Sequence, residues 1–533
     1  MGVQSEEKRR PSKRRKGKTL RHVTSRPFFR HQVFTGLDSW LGLGRISDAC
    51  LDRLQGAHRR LSSSMLTLPD EYDDAVHYTD RLCNFLASPL VRQVTGGIHV
   101  NDALIYDAWD KLPPEWTAWW SSWPDPRLAQ QDLIDSIDQD EERQVEGEEN
   151  KPKDVELRPE SLTRWLRTLK SLALPRAQRP GPTILLPDIL TLRMKTKKTA
   201  EVSRAVAYIH DICQQKGITR IIDMGSGQGY LSISLAYLFP HLRVLSIDGS
   251  SSQIAGSQAF AASLGIPESR LKPLVYWIDG SPALATTVEE WASGEKCMLV
   301  GLHACGSLTE HMLRYFTIIP CVDAVAVIGC CYNHITPRSP SHPTGFPISA
   351  ALQQRGLQLS PTALMTACQS PHNWKKPADM PTSSAESSVF SKRRLYRVML
   401  EKIFHDKALD VGTPDGGRPM WGTRKGDLAS FTTFAHRAMD CLGVARDNIT
   451  VEELSAYEER YGACEGQVSI LWTLSVLCCK VVESVIAMDR FWFLTEEGAR
   501  AVDVVPIFEE RVSPRNLMLV AEKGANLGQG MRH

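Results

Sequence analysis

The sequence predicts an α/β fold built on a parallel sheet, and three observations predict it. An apolar run at 218–224 ends in an acid and three alternating glycines, and a helical segment, 230–239, follows at once. Five apolar runs alternate with helical segments between 218 and 331, the order of a parallel sheet with crossover helices. Acids close the first three of those runs, at Asp223, Asp248 and Asp279.

The elements follow in order. Val202, Val206, Ile209 and Ile212 or Cys213 form a helical stripe that ends at Gly217, a natural C-cap. The first strand then enters Asp223-Met224-Gly225-Ser226-Gly227-Gln228-Gly229. Glycines at 225, 227 and 229 allow a sharp turn and leave no Cβ in the way of a ligand. The dinucleotide fingerprint needs its third glycine at 230, where Tyr230 stands, and no Gly-Lys-Ser/Thr follows for a P-loop. The second run, 242–247, ends at Asp248, 19 residues past Gly229, where a carboxylate can accept both ribose hydroxyls of a nucleoside. Each acid alone reads as a cap or turn residue. Three in succession favour a nucleoside site.

The fourth run, 298–302, leads into His303-Ala304-Cys305-Gly306, and the fifth, 324–328, into Gly329-Cys330-Cys331-Tyr332-Asn333-His334. Ligands in open parallel sheets bind outside these carboxyl ends. His303 has the chemistry of a general base. Cys305 reads as a nucleophile or a small packed residue. Tyr332 reads as a ring that stacks on a substrate or closes the pocket. Cys330, Cys331, His334, His303 and Cys305 form a metal-ligand set in type, but without paired Cys-x-x-Cys spacing, and no metal is assigned. Leu395 to Leu400 predicts a sixth strand and residues 516–522 a last one.

Length, 533 residues, predicts two or three domains. Residues 1–31 predict a disordered basic tail, with eleven Lys/Arg and two Glu in the first 30. Residues 32–130 predict a mainly helical N-terminal domain with a dense tryptophan cluster, and 131–156 an acidic linker. The core spans 157–404, a helical insertion 405–505, the final strand 506–523 and a tail 524–533. No apolar leader precedes the basic block, and no run is expected to span a membrane, since Lys480, Glu483, Asp489 and Arg490 interrupt the apolar stretch 474–493. Thirteen scattered cysteines fit reduced thiols in cytoplasm or nucleus.

Asp-x-Gly-x-Gly-x-Gly resembles the first motif of class I S-adenosylmethionine-dependent methyltransferases. The wider chain resembles the methyltransferase-like protein 25 family, which includes the ribosomal RNA adenine dimethylase domain-containing proteins. Residues 223–232, Gly301 to Thr309, Gly329 to Tyr332, Thr366 to Pro371, Arg394 to Arg397 and Ser513 to Leu517 carry this, as does Trp109-Asp110-Lys111-Leu112-Pro113. One block departs: Met194 to Val202 keeps Lys197, Lys198 and Glu201 but has Ala200 in place of the family's His, and lacks its Pro.

The resemblance implies a Rossmann-like seven-stranded class I methyltransferase sheet whose last two strands pair antiparallel at one edge. It implies S-adenosylmethionine as cofactor, held by Asp223, Gly225, Ser226, Gly227, Gly229, Asp248 and Asp279. His303, Cys305 and Tyr332 would face the acceptor. RNA is the first expectation for that acceptor, from the basic block Lys8 to Lys16 and from Lys197-Lys198. A protein acceptor is the runner-up, and a non-catalytic scaffold of the same fold is the rival class. A nuclear address, a phosphate-binding arm and a solvating tail all fit the basic block, and the oligomeric state is left open.

Overall fold

A computed structural model describes residues 66–97, 99–123, 125–138, 157–370, 384–409, 411 and 422–524. The basic tail, most of the acidic linker and the last nine residues lie outside the described residues. The first helices are α1 (Ala75–Ala87), α2 (Pro114–Ser121), α3 (Pro126–Asp138) and α4 (Glu160–Ser171). The alternating part then runs α5 (Thr196–Lys216), β1 (Arg220–Met224), α6 (Tyr230–Leu238), β2 (Arg243–Asp248), α7 (Ser251–Ser263), β3 (Leu271–Val275), α8 (Pro282–Ala292), β4 (Cys297–Cys305), α9 (Leu308–Ile318) and β5 (Val322–Cys330). A helical stretch follows: α10 (Ala350–Gln354), α11 (Pro361–Thr366), α12 (Ser384–Asp406), α13 (Phe431–Leu442), α14 (Val451–Tyr461), α15 (Glu465–Leu477) and α16 (Cys479–Glu496). Strands β6 (Arg500–Pro506) and β7 (Leu517–Glu522) end the fold.

The seven strands lie in the order β3-β2-β1-β4-β5-β7-β6. Strands β1 to β5 pair in parallel, and β7 inserts antiparallel between β5 and β6. The order reverses at β1, so β1 and β4 diverge at their carboxyl ends and open a crevice there. Strand residues alternate between two buried faces, as a sheet covered on both sides requires. Ile221, Val244, Met298 and Val300 pack on α5, α6 and α7 in one core. Ile222, Leu245, Leu299 and Val325 pack with the N-terminal helices and with α15 and α16 in the other.

The N-terminal helices and helices α15 and α16 therefore form one helical body. The Tyr78 hydroxyl donates to Leu172 O at 2.8 Å, Gln130 Nε2 to Thr473 Oγ1 at 2.9 Å, and Trp492 Nε1 to Thr79 Oγ1 at 2.9 Å. Helix α16 is buried almost all round and needs cover on every side. Trp116, Trp119, Trp120 and Trp165 supply packing, each with a ring neighbour at 5.4–6.3 Å. The run Val451–Glu496 is long and apolar enough to cross a membrane by composition, contrary to expectation, but 78% of its most apolar window is buried in the protein.

Two further differences separate the structure from the reading above. Leu395 to Leu400 lies inside α12 and is not a strand; the sixth strand is Arg500–Pro506. The helical stretch thus interrupts the chain between β5 and β6, and not between the sixth and seventh strands. Residues 131–138, assigned to the linker, close α3, where Arg158 reaches Asp132 at 2.5 Å.

Candidate functional site

The turn after β1 is held from beneath. The backbone N–H groups of Gly225 and Ser226 both donate to Ile247 O, at 2.9 and 3.0 Å. Gly225, Gly227 and Gly229 take φ of +76°, +55° and +72°, the left-handed region that side chains disfavour. A Cβ at Gly229 would collide with Ser257 Oγ, and one at Gly225 would sit 2.8 Å from Leu308 Cδ2. At Gly227 a Cβ would meet nothing within 4 Å, so this peptide faces open space. Ser226 Oγ is buried in the turn without a hydrogen-bond partner. Asp248 closes the corner: Oδ2 accepts from Gly227 N at 2.9 Å and Oδ1 from Ser250 N at 2.8 Å. Each carboxylate oxygen keeps a further lone pair for an incoming hydroxyl.

The other two acids sit differently. Asp223 is buried, and its carboxylate accepts from Ser232 Oγ at 2.5 Å, which ties β1 to α6. Burial pushes its pKa up to about 6, with Ser232 pulling the other way. Asp223 therefore supports the turn from inside. Asp279 lies four residues past the end of β3, exposed, with its Oδ1 accepting from Ser281 N at 2.9 Å at the start of α8. Two residues before Asp279 stands Trp277, 77% exposed, its ring against Gly249 just after Asp248. The sequence reading missed this residue. A large aromatic in the loop after the third strand was the available signal.

Strand β4 has an irregularity between Leu302 and Ala304, where His303 takes φ +71°. The kink turns the ring toward α5, and His303 Nε2 lies 3.0 Å from Glu201 Oε2. Glu201, 1% exposed, also accepts from Ser513 Oγ at 2.7 Å and pairs with Lys198 Nζ at 2.8 Å. Burial pushes the Glu201 carboxyl up, but the hydrogen bonds and charges of His303 and Lys198 outweigh it and hold the group at about 2. An ionised carboxylate only accepts, so His303 Nε2 carries a proton and donates it to Glu201. Lys198 is committed to this carboxylate, which removes part of the basis for a phosphate contact at Lys197-Lys198.

Cys305 ends β4 beside Cys330, its register partner on β5, with the sulfurs 3.2 Å apart. Cys331 lies 3.5 Å from Cys305. The Cys305 thiol is pulled down to about 6, chiefly by the hydrogen bond from Cys330 and further by Cys331. The same bond and burial push Cys330 up. His303 and Cys305 thus share the carboxyl edge that holds the glycine turn.

Tyr332 does not lie open on that edge. Its side chain is buried, and its hydroxyl donates to Glu483 Oε1 at 2.7 Å. Arg490 and Arg515 flank the ring at 5.6 and 5.8 Å. Arg515 also donates to Glu483 Oε2 at 2.8 Å and to Gln369 O at 2.6 Å. A ring so enclosed cannot stack on a substrate without leaving this network, so Tyr332 anchors α16 to the sheet. A shallow cleft opens beside α11, with Gln93, Thr366, Gln369 and Trp472 among its walls, and none of the glycine-turn residues lines it.

The sheet order, with an antiparallel strand next to the far edge, defines the class I methyltransferase fold. Residues 197–338 match the family model described as a methyltransferase domain. The chain is 26% identical over 309 residues to a mouse protein named probable methyltransferase-like protein 25, covering 55% of this chain and 49% of that one. Its human counterpart is 25% identical over 259 residues, covering 47% and 40%. The chain thus spans about half the length, or less, of the curated relatives it matches. Among solved structures, YjhP from E. coli gives a TM-score of 0.20 at 16% identity, covering 52% of this chain and 94% of that one. Coclaurine N-methyltransferase bound to N-methylheliamine and SAH gives 0.23 at 10%, covering 79% and 100%. The fold assignment rests on strand order and not on these scores.

Proposed function

We propose that this chain is an S-adenosylmethionine-dependent methyltransferase. The observation that carries the proposal is the corner formed by Ser226, Gly227 and Asp248. It offers an orphaned hydroxyl, a peptide open to solvent with no Cβ, and a carboxylate at the end of the second strand. These suit the carboxylate-and-amine end and the ribose of a nucleosidic amino acid. Asp248 would accept the ribose hydroxyls, and Trp277 would cover the base. Bound there, the cofactor supplies an electrophilic methyl group.

The remaining work falls to the chain. In-line displacement depends above all on holding the acceptor atom in line. His303, oriented by Glu201 at Nε2, is the group proposed to take a proton from an acceptor N–H or O–H, through Nδ1. RNA is the proposed acceptor, on the strength of the basic block Lys8 to Lys16, which lies outside the described residues.

Calorimetric titration with S-adenosylmethionine tests the cofactor reading. Wild type should bind at micromolar Kd, and Asp248→Ala should weaken binding by about tenfold or more, since losing hydrogen bonds to a charged group costs about 1.5–3 kcal/mol. No binding by folded wild type would refute it. For the acceptor, RNA affinity should fall steeply with added salt. Methyl transfer from labelled cofactor into protease-sensitive rather than nuclease-sensitive material would reject RNA.

A further inference from the structure

Three thiols converge at the carboxyl ends of β4 and β5 in a way that neither strand would produce if regular. Successive residues on a strand point to opposite faces, so Cys330 and Cys331 should diverge. Cys331 instead takes φ +47°, which turns the chain and brings its sulfur back. On the neighbouring strand, the kink at His303 re-aims Cys305. The Sγ–Sγ separations are 3.2 Å for Cys305–Cys330, 3.5 Å for Cys305–Cys331 and 3.6 Å for Cys330–Cys331. A tetrahedral ion with metal–sulfur bonds of about 2.3 Å sets its thiolates about 3.8 Å apart. The triangle therefore needs to open by only a few tenths of an ångström.

We propose that Cys305, Cys330 and Cys331 form a three-thiolate site for a thiophilic divalent cation of the zinc class, with a fourth position open to solvent. Each residue offers one sulfur, and the three ligand atoms lie within 4.8 Å of one another. Cys305 is exposed, so the ion can enter and the fourth ligand can exchange. Sites with three protein ligands and one open position are those where zinc acts chemically and not only as a staple. The ligands come from two strand ends, which is why the sequence shows no paired Cys-x-x-Cys. Cys368 is not required, because its sulfur is engaged with Asn333 Oδ1 at 3.2 Å.

The test uses the full-length protein, purified with reductant, loaded with Zn²⁺ and passed through gel filtration. Elemental analysis should find about one Zn²⁺ per chain. Cys305→Ser and Cys331→Ser should each weaken Zn²⁺ binding at least about tenfold against a competing chelator, a loss of 1.4 kcal/mol or more. Cys368→Ser should leave it unchanged. A second measurement needs no variant: Zn²⁺ should slow alkylation of Cys305 and Cys331 by iodoacetamide and leave the exposed Cys441 untouched. Absence of both stoichiometric metal and protection overturns the proposal. None of these readouts involves S-adenosylmethionine, so the metal site and the methyl-donor reading stand or fall separately.

Discussion

Replacing Glu201 by Gln keeps its shape and removes its charge. The carboxyl sits at about 2 in the fold against an ordinary 4.5. A displacement of that size corresponds to about 3 kcal/mol, at about 1.4 kcal/mol for each pKa unit. Lys198 and His303 are 30% and 24% exposed, so solvent screens part of this, and about 1–2 kcal/mol remains. The sign follows from linkage. A depressed carboxylate contributes its stability fully above the unfolded value and loses it as pH falls through the folded one. Urea denaturation followed by far-UV circular dichroism should therefore find Glu201→Gln weaker by about 1–2 kcal/mol at pH 7. The gap should shrink below about pH 4.5 and vanish near pH 2. Equal stability at pH 7, or a gap that widens on acidification, would refute the reasoning.

Asp223 gives the opposite limb. Its pKa is raised to about 6, so the fold keeps a proton that the unfolded chain releases near 4, and stability falls as pH rises through that window; Asp223→Asn should remove this part of the pH dependence in the same denaturation assay. Gly229→Ala should lower the melting temperature and abolish S-adenosylmethionine binding, since it costs about 1–2 kcal/mol in left-handed backbone alone before the clash with Ser257. In the buried pair Arg490–Glu310, at 2.8 Å, Arg490→Leu should cost about 3–5 kcal/mol in denaturation, and the added change Glu310→Leu should recover much of it. Trp277→Ala should weaken cofactor binding in calorimetry and leave the melting temperature unchanged.

What was legible in the sequence is what is local. The glycine turn and Asp248 stand within 26 residues of chain, and glycine there has a single stereochemical reason. The parallel part of the sheet followed from apolar runs alternating with helical segments. The run Leu395 to Leu400 misled because a short apolar stretch reads alike in a buried strand and a buried helix. Leu395, Tyr396, Val398, Met399 and Leu400 are all buried within α12. Strand β6 hid behind Arg500 and Asp503, the latter buried against Arg179. The pairing of His303 with Glu201 spans 102 residues, and the enclosure of Tyr332 by Glu483 spans 151. No periodicity reports contacts at such distances. The block Ser513 to Leu517, singled out by resemblance, turns out to clamp the fold. Ser513 reaches Glu201, Arg515 reaches Glu483, and Asn516 Nδ2 donates to Arg176 O at 2.9 Å.

The insertion of β7 between β5 and β6 has a consequence for synthesis on the ribosome. Strand β5 is complete at Cys330, but the strand that covers its outer edge begins only at Leu517, roughly 190 residues later. At about 5–20 residues per second, the nascent chain carries an uncapped strand edge, apolar but for Asp323, for about 10–40 seconds. Such an edge is a template for pairing with a neighbour. Its protection in that interval falls to chaperones or to the apolar helices α15 and α16 emerging behind it. A change that slows translation between 330 and 517 should therefore raise aggregation of newly made chains without altering the stability of the finished protein.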